Sequence, residues 1–182
     1  MAFKDEVLIF EDTKIVHESG VEVMMDWEIQ IMEKSAEYIC SSKGDILEIG
    51  FGMGICSDYI QAQGVNSHTI IEIHPQIIEK LKTWAEGKSN VTIVEGDWNS
   101  VEGLSTYDGI FIDTYGDENW LDFKDFATLT ANPGAKITYW NNFTDRRNEH
   151  RFNSIEFESI PITPDANKYF NENTYSMPKV SL

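Results

Sequence analysis

The chain of 182 residues carries 31 acidic against 14 basic residues, a formal net charge of −17, with 41% hydrophobic and 12% aromatic residues. That length and apolar content predict one folded domain with a real core and exclude a disordered chain. The acidity repels phosphate backbones, so nucleic acid is not an expected partner.

No apolar run approaches the roughly 20 residues of a membrane span. The start, Met1-Ala2-Phe3-Lys4-Asp5-Glu6, has no signal-peptide layout. Cys40 and Cys56 lack metal-ligand spacing and read as buried thiols in a reducing compartment. The expectation is a cytoplasmic protein, monomer or homodimer, with no metal and no membrane partner.

In chain order, V-L-I-F and K-I-V-H within 6–17 predict a short hairpin turning near Glu11-Asp12. A helix is expected over 21–41, because Met24, Met25, Ile31, Met32, Ala36 and Ile39 recur at spacings of three and four. Glu28 falls on that stripe, four residues from both Met24 and Met32. A carboxylate on an inward face is costly unless a cation or donors meet it. Next comes the centre of the chain, G-D-I-L-E-I-G-F-G-M-G at 44–54. It starts as a strand, with Ile46, Leu47 and Ile49 around Glu48. It ends in Gly50, Gly52 and Gly54, with Phe51 and Met53 between them.

Helix is expected over 55–63, strand over 68–74, and a helix opened by Pro75 with Ile77, Ile78, Leu81, Trp84 and Ala85 on its apolar face. Strands follow at 90–97 and 107–115. Trp120, Phe123, Phe126 and Leu129 stripe the next helix, which Asn132-Pro133-Gly134 stops before a strand at 135–142. This alternation predicts an α/β fold, Rossmann-like, with a mostly parallel sheet and helices on both faces. Extended runs at 155–162 and 174–182 predict a C-terminal antiparallel hairpin. The expected organisation is a single domain over 1–182: an N-terminal cap and helix (1–41), a ligand-binding core (44–143) and the hairpin (154–182).

Alternating glycines after a strand let backbone N–H groups face a ligand with no side chain between. Their G-x-G-x-G spacing is not the G-x-G-x-x-G of pyrophosphate sites. Glu48, two places earlier, repels phosphate and suits a cationic ligand. The combination resembles the first motif of S-adenosylmethionine-dependent methyltransferases, although a glycine-rich run also serves as a plain turn. Glu72 ends the second core strand 22 residues after Gly50, near the ~20-residue interval at which an acid meets a ribose; the alternative is a solvated loop glutamate. Asp97 and Trp98 close the third strand, where a carboxylate and an indole can meet a purine, unless Trp98 is core. Asp113 ends the fourth strand, opposite the glycine loop.

The blocks V-M-M-D-W-E (23–28), L-E-I-G-F-G-M (47–53), I-I-E (70–72), D-G-I-F-I-D-T-Y (108–115), N-P-G-A-K-I-T-Y (132–139) and Y-S-M-P (175–178) together resemble the guanidinoacetate N-methyltransferase family. Arginine δ-N-methyltransferases of fungi belong to the same broader group. The resemblance implies S-adenosyl-L-methionine as cofactor and S-adenosyl-L-homocysteine as product. It places the backbone near Gly50 and Gly52 at the methionine part, Glu72 at the ribose and Asp97 with Trp98 at the adenine, and counts Glu48, Phe51, Met53, Ile73, Gly96 and Asp113 among the other cofactor-binding residues. It assigns Glu28 and Asp113 to catalysis and to gripping a guanidine, Asn142 and Phe143 to the acceptor's own carboxylate, and Tyr115 and Tyr175 to the surrounding wall.

A planar guanidinium suits two carboxylates through forked, charge-assisted N–H bonds. The structural alternative pairs Glu28 with Lys136 or Arg146. About twenty residues precede the M-M-D-W-E block, and 144–154 is brief and polar. Both are shorter than the resemblance implies, so a more open pocket is expected, with room for arginine or a peptide. Arg146 and Arg147 read either as a solvated patch or as contacts to an anionic acceptor. The expected function is N-methylation of a small guanidino compound. The alternatives are another small amine, arginine or a peptide side chain, or a non-catalytic cofactor-binding regulatory domain.

Overall fold

The computed structural model describes residues 2–182; Met1, where the expected N-terminal segment begins, lies outside the described residues. In chain order the strands and helices are β1 (Leu8–Phe10), β2 (Lys14–His17), β3 (Glu22–Met25), α1 (Ile29–Ile39), β4 (Asp45–Ile49), α2 (Ile55–Ala62), β5 (Ser67–Glu72), α3 (Pro75–Ala85), β6 (Val91–Glu95), β7 (Tyr107–Ile112), α4 (Phe123–Thr130), β8 (Ala131–Tyr139), β9 (Glu156–Pro161) and β10 (Thr174–Ser181).

The main sheet has seven strands in the order β6-β5-β4-β7-β8-β10-β9. β4 to β8 run parallel, and β10 lies antiparallel to both β8 and β9. The C-terminal hairpin is therefore part of the sheet.

Alternation along each strand divides the core. Ile46 and Phe111 meet Ile31, Met32 and Ile39 of α1 and Ile60 of α2. Ile70, in register with Glu48 on that same face, meets Ile77 and Leu81 of α3. On the other face Leu47, Ile49, Ile110, Ile112 and Ile137 pack against Phe123 and Ala127 of α4. Three helices cover one face and a single helix covers the other. No helix joins β6 to β7 or β8 to β9 among the described residues. Trp98, Val101, Leu104 and Phe152 supply the missing cover.

Two expectations are corrected. The helix expected over 21–41 begins only at Ile29. Met24 and Met25 belong to β3, which pairs with β2 through Ile15↔Met24 and Lys14↔Met25, so pairing with β2 overrides the helical spacing there. Glu28 closes a 3-10 turn, Asp26–Glu28, at the foot of α1. The hairpin expected at 6–17 is present as β1 and β2, paired antiparallel, and β3 adds a third strand beside β2. Asn132-Pro133-Gly134 lies within β8, whose pairing with β7 slips between Tyr107 and Gly109 to accommodate it.

The small N-terminal sheet is fastened to the start of α3. Gln76 accepts the Leu8 N–H at 2.8 Å and donates to the Leu8 carbonyl at 3.0 Å. His74 caps α3 by accepting the Gln76 N–H through Nδ1, so its Nε2 donates to the Glu6 carbonyl at 3.1 Å. Two residues at the foot of one helix thereby hold the segment that precedes the core.

Candidate active site

A cavity of about 880 Å³ opens at the carboxyl ends of the parallel strands, a size that suits a ligand pair of small-molecule dimensions. Its walls include Gly50 and Gly52 after β4, Ile73 after β5, Asp97 after β6 and Asp113 after β7. β7 lies beside β4 although β5 follows β4 in the chain. The cavity thus sits at the switch point where open α/β sheets bind ligands.

The glycine turn owes its shape to close approach. Gly50 (φ 90°) and Gly52 (φ 54°) are left-handed. A Cβ on Gly50 would overlap the Asp113 carbonyl oxygen, and one on Gly52 would press on the Met24 sulfur. Glu72, buried at the end of β5, holds the turn from beside it: Oε2 accepts the Phe51 N–H at 2.9 Å, and Oε1 accepts the Ile73 and His74 N–H groups at 2.8 Å each. One lone pair of Oε2 remains for a hydroxyl.

Glu48 is fully buried and lines the cavity. Its Oε2 accepts from Ser57 Oγ at 2.6 Å and meets His68 Nε2 at 2.9 Å, while Oε1 has no partner among the described residues. Such an orphan oxygen in a cavity wall is a place for a cationic donor.

Glu28 and Asp113 share the other end. Glu28 is 3% exposed; its Oε1 accepts the Met25 N–H at 2.8 Å and the Tyr169 O–H at 2.6 Å. Burial, then the charge of Asp113, pushes its pKa up to about 8, with the Tyr169 and Met25 hydrogen bonds opposing. Burial, then the charge of Glu48, pushes Asp113 up to about 7. Neither carboxylate has a basic partner among the described residues. The alternative pairing of Glu28 with Lys136 or Arg146 is ruled out, since Lys136 donates to Ser181 Oγ and Arg146 to Ser159 Oγ.

The structure brings most of the sequence-predicted residues to one cavity: Glu28, Glu48, Gly50, Phe51, Gly52, Glu72, Ile73, Gly96, Asp97, Trp98, Asp113, Tyr115 and Asn142 all line it. Three do not. Met53 packs into the core, its N–H on the Met24 sulfur at 3.2 Å. Phe143 lies under the Arg147 guanidinium, and its N–H is donated to Asn141 Oδ1. Tyr175 is 1% exposed, accepting the Asn141 N–H at 2.6 Å and supporting the Trp140 ring from behind.

Trp98 borders the cavity but is only 4% exposed. Its edges meet Phe123 and Phe126, and its Nε1–H goes to Asp117 Oδ2 at 2.7 Å. Asp97 accepts from the Asn99 N–H and Asn119 Nδ2. The 114–119 loop is thereby fastened to the end of β6.

Sequence reasoning missed Met24, Trp140, Asp117 and Tyr169, all of which line the cavity. Trp140 directly follows β8, and the strand-end rule that selected Asp113 applies to it equally. Tyr169 stacks on Trp27 at 5.8 Å and meets Trp140 edge-on at 6.2 Å. Its only signal was an aromatic pair, Tyr169-Phe170, inside a polar connection. Phe3, Glu6 and Glu22 from the N-terminal segment form part of the wall.

A family model described as guanidinoacetate N-methyltransferase matches residues 9–157. The chain belongs to that family. Protein arginine N-methyltransferase 2 of Candida glabrata is 37% identical over 145 residues, which cover 72% of this chain and 35% of that protein. Its namesake in Kluyveromyces lactis is 29% identical over 97% of this chain and 52% of its own length. The chain thus spans about a third to a half of the length of these relatives. Among solved structures, N-methyltransferase NodS from Bradyrhizobium japonicum in complex with S-adenosyl-L-homocysteine matches with TM-score 0.65 at 14% identity, over 85% of this chain and 87% of that one. Spermidine synthase from Thermotoga maritima matches with TM-score 0.68, also at 14% identity, over 96% and 72%. At such identities the likeness carries the fold, and the family's fold is the Rossmann-like one of methyltransferases.

Proposed function

We propose that the chain is an S-adenosylmethionine-dependent N-methyltransferase whose acceptor is a guanidino group, in a small molecule or in an arginine side chain. The observation that carries this reading is the pair of cavity carboxylates, Glu28 and Asp113, with no basic side chain beside them among the described residues. Family membership supports transfer chemistry. The orphan oxygen of Glu48, the glycine turn and the remaining lone pair on Glu72 fit the amino, carboxylate and ribose parts of the donor.

Bound S-adenosylmethionine supplies an electrophilic sulfonium methyl. The chain's own residues do the rest. A guanidinium has a pKa above 12 and no available lone pair, so a carboxylate must take its proton as the nitrogen attacks. Asp113, which follows β7 beside the glycine turn, is assigned as that acceptor. Glu28 clamps the remaining N–H groups through Oε2, since Oε1 already serves Met25 and Tyr169. A cation arriving between the two acids favours their ionised forms. With the guanidine nitrogen held by Asp113 and Glu28 in line with a bound donor, proximity and orientation could supply ~7–11 kcal/mol of barrier lowering.

Incubation with methyl-labelled donor and a panel of guanidines and simple amines tests the reading. Label is expected on guanidines only. Asp113→Asn should lower turnover by about 10²–10⁴-fold while donor binding, read by calorimetry, persists. Donor binding without transfer to any compound would instead indicate a non-catalytic binding domain.

A further inference from the structure

Resting on the guanidino reading, we propose that the preferred acceptor is an alkylguanidinium with no carboxylate on it, its tail uncharged or cationic. Nine Asp and Glu side chains line the cavity, and Lys4 is the one basic side chain there among the described residues. Lys4 also borders the neighbouring recess with Ile73, Pro75, Asp97 and Ser100, beyond the ends of β5 and β6 and thus at the donor's end. Around Glu28 and Asp113 the wall offers Trp140, Asn142 and Tyr169, none of them cationic.

The nearest arginines in the chain are committed elsewhere. Arg146 donates to Ser159 Oγ at 2.7 Å, and Arg147 forks onto Asp145 while lying over the Phe143 ring at 3.9 Å. The Phe143 N–H, a possible donor to a carboxylate, is spent on Asn141 Oδ1 at 3.0 Å. An acceptor carboxylate would therefore enter an acidic cavity whose acceptor end offers no cationic side chain among the described residues. Two of the surrounding acids keep an orphan oxygen: Glu48 Oε1 and, from the N-terminal sheet, Glu22 Oε2. Repulsion of an anionic tail works as discrimination against the wrong acceptor. The aromatic rings of Trp140 and Tyr169 suit a methylene stem and the flat cation at its end.

Labelled methyl transfer with agmatine, blocked arginine (N-acetyl-arginine N-methylamide) and guanidinoacetate decides the matter. Agmatine or blocked arginine should exceed guanidinoacetate in kcat/KM by about tenfold or more, since an unscreened like charge at close range is worth at least that much. Raising salt should lower kcat/KM for the doubly charged agmatine more than for blocked arginine, because screening shortens the reach of the acidic field. Preference for agmatine points to a free small molecule as the source, and preference for blocked arginine points to a polypeptide. Guanidinoacetate equal to or better than both overturns the inference alone. Transfer to amines but to no guanidine overturns the guanidino reading and this inference with it.

Discussion

Glu28 shows how one carboxylate is kept available inside a protein. Its Oε1 is held by the Met25 N–H from its own turn and by the Tyr169 hydroxyl from the connection between β9 and β10. Burial raises its pKa, and the hydroxyl bond pulls it back. Tyr169→Phe removes that opposing donor, so the pKa of Glu28 should climb further. The rising limb of kcat/KM against pH is then expected to move to higher pH, with acceptor KM raised several-fold and kcat changed less. An unshifted limb would mean that Tyr169 serves only the aromatic stack on Trp27.

At the scale of elements, two attachments position the site. Gly109 of β7 lies against the end of α1, where a Cβ would run into the Ile39 carbonyl. Gly109→Ala should lift α1 from the sheet and destabilise the fold by about 1–3 kcal/mol, measured by urea unfolding. The N-terminal sheet instead depends on polar contacts with α3. Gln76→Ala removes both bonds to Leu8 without opening the main core. Hydrogen exchange over residues 8–17 should accelerate and donor KM should rise, while the main unfolding transition moves by only about 1 kcal/mol.

Across the whole molecule, pH acts on stability from two sides. Glu28 and Asp113 have folded pKa values raised to about 8 and about 7. Their favourable contribution is therefore complete below about pH 4 and is lost progressively as pH rises from there to 7–8. His150 works in the opposite direction. It is 3% exposed, and neither ring nitrogen has a partner among the described residues. Burial lowers its pKa to about 4, so its contribution is present above pH 6.5 and fades as pH falls toward 4.

On these three groups the free protein should be most stable near pH 4–5, because above that range two carboxyl groups lose stability while one imidazole gains it. Glu28→Gln should flatten the fall above that range and His150→Phe should steepen it, both read by thermal unfolding across pH. A Glu28→Gln variant that melts no higher than the parent at pH 8.5 would contradict the raised pKa. The net charge of −17 adds self-repulsion, so melting temperature should rise with salt up to roughly 0.15 M.

Local pattern carried much of this protein. Alternating strands, glycines at 50, 52 and 54, and acids at strand ends are short-range features. They were enough for the sheet, the switch-point crevice and the placing of Glu48, Glu72 and Asp113. Burial of Glu28 was expected, but from a helical stripe that begins only beyond it, at Ile31: Met24 and Met25 pair with β2, and only tertiary pairing could decide between strand and helix at that spacing. Contacts between residues far apart in the chain left no such trace. Tyr169 reaches Glu28 across 141 positions, Trp98 is turned into the core by Asp117 and the rings of α4, and Gln76 anchors Leu8. Hydrophobic period and strand-end chemistry are written within a few residues, whereas the partner that meets a buried oxygen is chosen by how the whole chain closes.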